Sequence, residues 1–182
     1  MPEHSDEQLM KSYAGGSMEA FEVLYQRHRA PLYRYLLRLA GNAATANDLY
    51  QGTWEKVIKS RAVYQPKAPF RAWLYRVAHN HAMDHFRRNK PVADEMPEDL
   101  ASPAAEPAEQ LASDSMQQDL QSAIRELPQE QRDTLMLKLE SGLDLQTIAD
   151  ITGVNPETAK SRLRYAVKRL KTMLEDRNFP AG

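Results

Sequence analysis

Two groups of basic and aromatic residues in this sequence have types and spacings suited to binding nucleic acid. The first covers residues 64–88, where rings alternate with cations. Such mixtures hold single strands, because bases stack on rings and phosphates pair with cations. Helical periodicity places Phe70, Trp73 and Phe86 on an apolar stripe, so we expect these rings in the core. The candidate site comprises Tyr64, Gln65, Lys67, Arg71, Arg76, Asn80, Arg87 and Arg88.

The second group lies on the second helix of a predicted helix-turn-helix at about residues 145–165. Ala149 is small enough for two helices to cross closely, and Gly153 follows where the turn requires a positive φ. Asn155 is suited to cap the next helix, and Pro156 to its first position. Such a helix enters the major groove, where Arg bonds guanine and Lys or Ser holds phosphate. The candidate contacts are Thr158, Lys160, Ser161, Arg162, Arg164, Tyr165 and Lys168.

The sequence offers few residues arranged for metal binding or catalysis. His81 and His85 are spaced i, i+4 with Asp84 between them, which would suit zinc, but no further ligand has suitable spacing. No glycine-rich phosphate loop and no nucleophile–base pair stands out. We therefore expect no catalysis, no cofactor and no metal, with a zinc-dependent enzyme as a minor alternative.

Helices must position these groups, because apolar residues recur at i, i+3 and i+4 throughout the chain. In the first part of the chain, the stripes predict a bundle in which Ser17 is an N-cap and Pro31 kinks or splits a long helix. The later stripes predict a helix that carries Leu135 and Leu139 on its apolar stripe. This helix is expected to end near residues 141–142. A last helix is expected to bury Ala159, Leu163, Val167, Leu170 and Leu174.

The predicted fold class is all-α, with two small helical domains joined by a flexible acidic linker rich in Pro and Ala. Four prolines fall between residues 91 and 107, and they block helix continuation. The residues among them are mostly Ala, Ser, Asp and Glu, which offer little apolar surface to bury. The expected limits are 1–90 and 114–176 for the domains, 91–113 for the linker and 177–182 for a tail.

The net charge of −1 hides opposite local charges. Residues 1–90 carry 14 basic and 8 acidic residues, whereas residues 91–121 carry 8 acidic residues and no basic ones. Residues 158–171 hold six basic residues and no acid. Near-neutrality therefore does not argue against nucleic acid. The chain has no cysteine, no apolar run of bilayer length and an acidic N-terminus, so we expect a cytoplasmic protein without membrane insertion.

Four stretches, 21–39, 48–54, 70–80 and 127–170, resemble in order and spacing the extracytoplasmic-function (ECF) group of bacterial RNA polymerase sigma factors. The resemblance implies promoter-specific initiation with core RNA polymerase, whose largest-subunit clamp helices and flap would be contacted, and an anti-sigma partner. It assigns residues 64–88 to the −10 element, the helix with Lys160 and Lys168 to the −35 element, and the linker to a path across the polymerase. The residues implied to bind polymerase are Asp48, Leu49, Gln51, Trp54 and Glu55.

Two residues depart from the group's usual pattern. Gly52 stands where a Glu is usual, and because glycine is unfavourable within a helix, we expect Gly52→Glu to stabilise this helix and tighten polymerase binding. Tyr165 stands where a basic residue is common, so the −35 preference is not transferable from relatives. The alternative function is a stand-alone helix-turn-helix regulator, which would not need the first nucleic-acid group or the polar row at Asp48, Gln51 and Glu55.

Overall fold

The computed structural model describes residues 3–89 and 111–178, and these residues are entirely helical apart from turns and loops. The predicted all-α class is confirmed. Eight α-helices follow one another, and a π-helical turn, Leu137–Ser141, continues the sixth. The helices are α1 Asp6–Ala14, α2 Met18–Ala40, α3 Ala43–Lys59, α4 Phe70–Arg88, α5 Leu111–Arg125, α6 Gln129–Met136, α7 Leu145–Thr152 and α8 Pro156–Asn178.

Helices α1 to α4 form the first domain around one apolar core, which the predicted stripes supply. Ser17 caps α2 as expected, its side chain accepting a hydrogen bond from the Ala20 N–H. Burial of these side chains is the main stabilising contribution, at about 1.5–3 kcal/mol for each large apolar residue. Buried members include Leu24, Leu32, Leu36 and Leu39 of α2, Leu49 and Val57 of α3, and Phe70, Leu74 and Tyr75 of α4.

Helix α1 is an element that the stripes do not predict. Ser5 and Gln8 form a capping box, each side chain bonding the other residue's backbone N–H. Leu9, Met10 and Tyr13 then bury their side chains in the first domain's core. The Ser-x-x-Gln pattern was the available signal, but three apolar residues on a nine-residue helix make a weak stripe.

Helix α2 passes through Pro31 without ending, so the expectation that the proline splits the helix is wrong. A proline in a helix interior removes one hydrogen bond and introduces a clash, at about 3 kcal/mol. The residues on both sides of Pro31, including Leu24, Leu32 and Leu36, are fully buried in the same core. Their combined burial outweighs the penalty and holds both halves in one helix.

Helices α5 to α8 form the second domain. Helix α6 and its π-helical turn end at Gly142, whose φ of +67° is the left-handed conformation favoured by glycine, so the predicted end near residues 141–142 is confirmed. Helix α8 packs on α5, α6 and α7. Leu127, Leu135 and Ala166 form a buried cluster there, with Leu163, Leu170 and Met173 packed against it.

Two core assignments in this domain are wrong. Leu139 is 63% exposed and lies in the π-helical turn, where the chain departs from the period of 3.6 residues that the stripe assumes. Val167 is 51% exposed, and Ala166 beside it is fully buried instead. The inward face of α8 therefore advances by three residues from Leu163 to Ala166, rather than by four.

The predicted linker lies almost wholly outside the described residues. Only residues 111–113 of the span 91–113 are described, and these begin α5 rather than continue an extended segment. Helix α5 therefore begins three residues before position 114, the predicted start of the second domain.

The two domains contact each other, and Asp133 of α6 lies buried at the contact. Its Oδ1 accepts a hydrogen bond of 2.6 Å from the Tyr35 hydroxyl, and its Oδ2 lies 2.9 Å from Nδ1 of His79, at an angle outside hydrogen-bond geometry. Burial, and then the nearby carboxylate, hold the pKa of Tyr35 well above its usual value, so the hydroxyl remains a donor. An exposed pair between Arg34 and Glu140, at 3.0 Å, adds a further link.

Asp133→Ala is expected to lower the free energy of unfolding by roughly 1–3 kcal/mol, because the buried Tyr35 hydroxyl loses its acceptor. Urea unfolding followed by circular dichroism measures the change. Asp150→Ala, which removes an exposed carboxylate from α7, is the matched control and should change the midpoint little. An Asp133→Ala midpoint equal to the control's would contradict this role.

Asn155→Ala is expected to destabilise the second domain by about 1 kcal/mol, because the Asn155 side chain accepts a hydrogen bond of 2.8 Å from the Thr158 N–H at the start of α8. Asn155→Ser keeps a capping oxygen and should retain most of the stability. Thermal unfolding of both variants gives the comparison, and equal losses would show that the cap contributes nothing.

Candidate nucleic-acid and partner interfaces

Helix α4 carries most of the first candidate nucleic-acid site. The N-cap residue of α4, Pro69, makes no capping hydrogen bond with its side chain. Glu7 of α1 supplies the cap instead, because its carboxylate accepts a 2.9 Å hydrogen bond from the Phe70 N–H. The face with Phe70, Leu74, Ala78 and Ala82 is buried against the rest of the domain. At about 100° per residue, Arg76, Asn80 and Arg87 lie on the opposite side, whereas Arg71 and Arg88 are exposed at the two ends of the helix. All five of these side chains are exposed.

The loop before α4 holds the other three candidates. Gln65 and Lys67 are exposed, whereas Tyr64 is half-buried. The Tyr64 ring packs edge-on against Trp73 and Phe70, with centroids 5.1 and 6.1 Å away, and burial raises its pKa. The structure thus places Tyr64 as a support for the loop, with its ring packed against α4 and its hydroxyl oxygen buried.

Two of the arginines have partners within the chain. Arg71 donates a 3.3 Å hydrogen bond to the carbonyl of Ser141 in the second domain, and Arg87 pairs with Asp84 one turn away. Both arginines are exposed, so these contacts are screened by water and contribute little to stability. Both guanidinium groups can exchange these partners for phosphate at small cost.

The predicted helix-turn-helix is present as α7 and α8. Asp144 caps α7 through the Thr147 N–H at 2.8 Å, and the hydrogen bonds from Thr147 lower the pKa of Asp144. Gly153 ends α7 with a φ of +74°, and its N–H donates to the Ala149 carbonyl. Asn155 and Pro156 then start α8, as the sequence predicts.

The exposed face of α8 presents the second candidate site. Lys160, Arg164, Tyr165 and Lys168 are exposed, while the remaining predicted contacts are half-buried. The guanidinium of Arg164 lies over the Tyr165 ring at 5.3 Å. The half-buried set is Thr158, Ser161 and Arg162.

The two candidate sites meet in a cleft between the domains. Asn80 and Arg87 of α4 line it together with Arg162 of α8, and its volume is about 1070 Å³. Most of the α8 face, including Arg164 and Lys168, lies outside this cleft. The structure therefore joins the two groups at one edge and keeps their other members apart.

Three of the five candidate polymerase-binding residues are exposed, and the other two are buried. Asp48, Gln51 and Glu55 are exposed along one side of α3. Leu49 and Trp54 are 1% and 6% exposed and belong to the core. The two buried side chains fix the rotation of α3 and so hold the three polar residues outward.

Gly52 lies among these polar residues, and the ring of His81 packs directly against it. A Cβ atom at this position would lie 2.1 Å from Nε2 of His81 on α4. The prediction that Gly52→Glu stabilises α3 must include this neighbour, because any side chain at position 52 must first displace the His81 ring. The sequence signal at this position was an isolated glycine within a helical pattern, which costs about 1 kcal/mol relative to alanine.

The sequence also gave no indication of Asp133 or Glu7, whose contacts join distant parts of the chain. Among the described residues, no group of three or more His, Asp or Glu side chains could hold a metal ion. Across residues 3–89 and 111–178, none of the helices combines the length and apolar character that crossing a bilayer requires.

Comparison with known families matches both halves of the chain. The model described as Sigma-70 region 2 matches residues 24–92, and the model described as Sigma-70, region 4 matches residues 117–170. The first match includes α3, α4 and the loop between them. The second includes the helix-turn-helix.

Curated relatives and solved structures agree with these matches. The chain is 32% identical to the RNA polymerase sigma factor CarQ of Myxococcus xanthus, over 91% of the chain and 95% of the relative. It is also 32% identical to the ECF RNA polymerase sigma factor SigL of Mycobacterium tuberculosis, over 90% and 93%.

Among solved structures, the sigma factor RpoE of Bartonella quintana, crystallised with the anti-sigma factor NepR, is 25% identical. Its TM-score is 0.72, covering 87% of this chain and 98% of that one. CnrH in complex with the cytosolic domain of CnrY shares the fold at 22% identity and a TM-score of 0.70, covering 94% and 98%. With both sigma regions in order and relatives matched over nearly their full length, the chain belongs to the ECF family of RNA polymerase sigma factors.

Proposed function

We propose that this sigma factor reads promoter DNA with two surfaces, α4 with its preceding loop for the −10 element and α8 for the −35 element. The observation that carries this assignment is that one chain presents two separate exposed polar helix faces, each held by a buried opposite face. Promoter-directed initiation with RNA polymerase is the activity of the family, and the proposal concerns which residues perform it.

The −35 assignment is supported by the geometry of α8. A helix-turn-helix places its second helix in the major groove, with side chains of the N-terminal half at base edges. Lys160 and Arg164 lie in that half and are exposed, and Lys168 follows one turn later on the same side. Arg164 is the proposed base-reading residue, because arginine bonds guanine in bidentate fashion. The other proposed contacts are Thr158, Ser161, Arg162 and Tyr165.

The −10 assignment is supported by the mixed chemistry of α4 and its loop. Arg76, Arg87 and Arg88 offer charge for phosphates, and Asn80 offers an amide for a base edge. Gln65 and Lys67 extend this surface along the loop, with Arg71 and Tyr64 at its border. Strand separation exposes bases, which such a surface holds by contacts that duplex DNA does not offer.

The proposed polymerase-binding surface is the exposed row Asp48, Gln51 and Glu55 on α3, with Leu49 and Trp54 supporting it from beneath. Its partner is the clamp-helix region of the largest subunit, while the second domain contacts the flap. The proposal includes no catalytic group, cofactor or metal, and it places the protein in the cytoplasm with the polymerase. An anti-sigma partner is also proposed, since RpoE and CnrH were each solved with a partner chain.

A stand-alone helix-turn-helix regulator is not favoured. It would require only α7 and α8, whereas this chain matches both sigma regions and devotes α3 and α4 to separate polar faces. The two functions differ in what they need from polymerase.

Transcription from a reconstituted system distinguishes the two functions. The purified chain, added to core RNA polymerase and a genomic promoter library, should give run-off transcripts with defined start sites. Core polymerase alone is the control and should give none. Duplex binding by the chain alone, without any defined start in the presence of core polymerase, would instead support the regulator.

Arg164→Ala is expected to weaken binding to the −35 element by roughly 1–3 kcal/mol and to relax specificity at one base pair. Lys168→Ala should weaken promoter and random DNA equally and flatten the salt dependence, because it removes one phosphate contact. Binding of the polymerase holoenzyme to promoter and random duplexes at several salt concentrations measures both. Equal losses on both DNAs for Arg164→Ala would make Arg164 a phosphate contact.

A further inference from the structure

The contact between Gly52 and His81 places part of α4 within the polar row of α3. A Cβ at position 52 would lie 2.1, 2.9 and 3.0 Å from the Nε2, Cε1 and Cδ2 atoms of the His81 ring. Real Cβ atoms essentially never lie within 3.0 Å of such a neighbouring atom, and two of these three distances are shorter than that. The imidazole therefore occupies the volume that a side chain at position 52 would fill.

That volume lies within the proposed polymerase-binding surface. Residues four before and three after a given position share its face of a helix, so Asp48 and Glu55 lie on the same side of α3 as Gly52. Both carboxylates are exposed, and Gly52 and His81 are each partly exposed. A partner that covers Asp48 and Glu55 therefore also covers the imidazole between them.

The ring offers polar groups at this position. Burial, and then the charges of Lys56 and His85, lower the pKa of His81, while Asp84 and Glu55 act in the opposite direction. The ring is consequently neutral at neutral pH, with one nitrogen that donates and one that accepts a hydrogen bond. The neutral imidazole can donate a hydrogen bond, whereas the ionised carboxylates of Asp48 and Glu55 can only accept one.

We propose that His81 completes the polymerase-binding surface, so that core RNA polymerase contacts α3 and α4 together through Asp48, Glu55 and the imidazole. This inference rests on the proposed function, because it assumes that the α3 row binds polymerase. His81 of α4 would then contact core RNA polymerase, while Asn80, the residue before it, belongs to the proposed −10 surface. Binding of polymerase then acts directly on the helix that presents the −10 contacts.

A stability cycle tests the packing on which the proposal depends. Alanine is favoured over glycine in a helix interior, so Gly52→Ala should stabilise the chain wherever the Cβ fits. In the wild-type background it should lower the urea midpoint, because the His81 ring must move. In the His81→Ala background the same change should raise the midpoint. An equal increase in both backgrounds would show that the ring does not occupy this space and would overturn the proposal.

Binding of the full chain to core polymerase, measured by fluorescence anisotropy without promoter DNA, tests the contact itself. His81→Ala should weaken binding by about 2- to 10-fold, the range expected for one lost hydrogen bond. His81→Phe keeps a ring in the space and removes both nitrogens, so it should lose affinity similarly even if His81→Ala unfolds. His85→Ala is the matched control, since His85 lies one turn further along α4, within 3.3 Å of the Asn89 amide.

The outcomes separate this inference from the proposed function. If the wild-type chain does not bind core polymerase, the proposed function fails. If Asp48→Ala and Glu55→Ala weaken binding while His81→Phe binds like wild type, the α3 surface stands and the contribution of His81 is overturned. Loss of affinity in His81→Phe with none in His85→Ala supports the composite surface.

Discussion

Helix α4 must pack against both domains at once, and this constraint determines where the proposed −10 contacts on α4 lie. It touches α1, α2 and α3 in the first domain and α7 and the π-helical turn in the second. Phe70, Leu74, Ala78 and Ala82 are fully buried, which fixes the rotation of the helix. A rotation of one residue, about 100°, would carry part of this apolar face out of the core. The polar face of α4 is thus a consequence of its packing.

The contact between the domains combines apolar and polar parts. Ile124, Ile148 and Ile151 of the second domain belong to the same buried cluster as the core of the first. Asp133 lies within this contact and bonds Tyr35, so the carboxylate sets the register in which the apolar surfaces meet. Removing one partner of a buried polar pair leaves the other unsatisfied, which makes this register more specific than apolar contact alone. The exposed pairs around it contribute much less.

Sequence periodicity was sufficient for most helices because each has a buried stripe of its own. The second to fourth helices and the helix-turn-helix follow directly from apolar spacing and from the caps Ser17 and Asn155. Leu139 was misplaced because a π-helical turn changes the period within a helix, which no local residue preference indicates. The helix is not split at Pro31 because the burial that carries α2 through it depends on other helices.

The contacts between helices lay beyond the reach of periodicity. Glu7 caps α4 across 63 positions of sequence, and Asp133 meets Tyr35 across 98. Such pairs depend on how the helices pack against each other. An apolar stripe indicates only which side of one helix faces inward. Gly52 illustrates the difference, because its departure from the helical pattern was visible while its neighbour, the ring of His81, was not.

The exposed face of α8 shows how a departure from the family pattern alters a surface without altering the fold. Tyr165 adds no charge, but the Arg164 guanidinium lies over its ring at 5.3 Å, an interaction of about 0.5–1 kcal/mol at an exposed site. Arginine loses considerable rotamer freedom when it binds, and a ring that already restricts the side chain reduces that loss. A basic residue at position 165 would instead repel Arg164 and compete for the same phosphates. Tyr165 therefore favours one ordered arginine, the proposed base-reading Arg164, over two mobile cations.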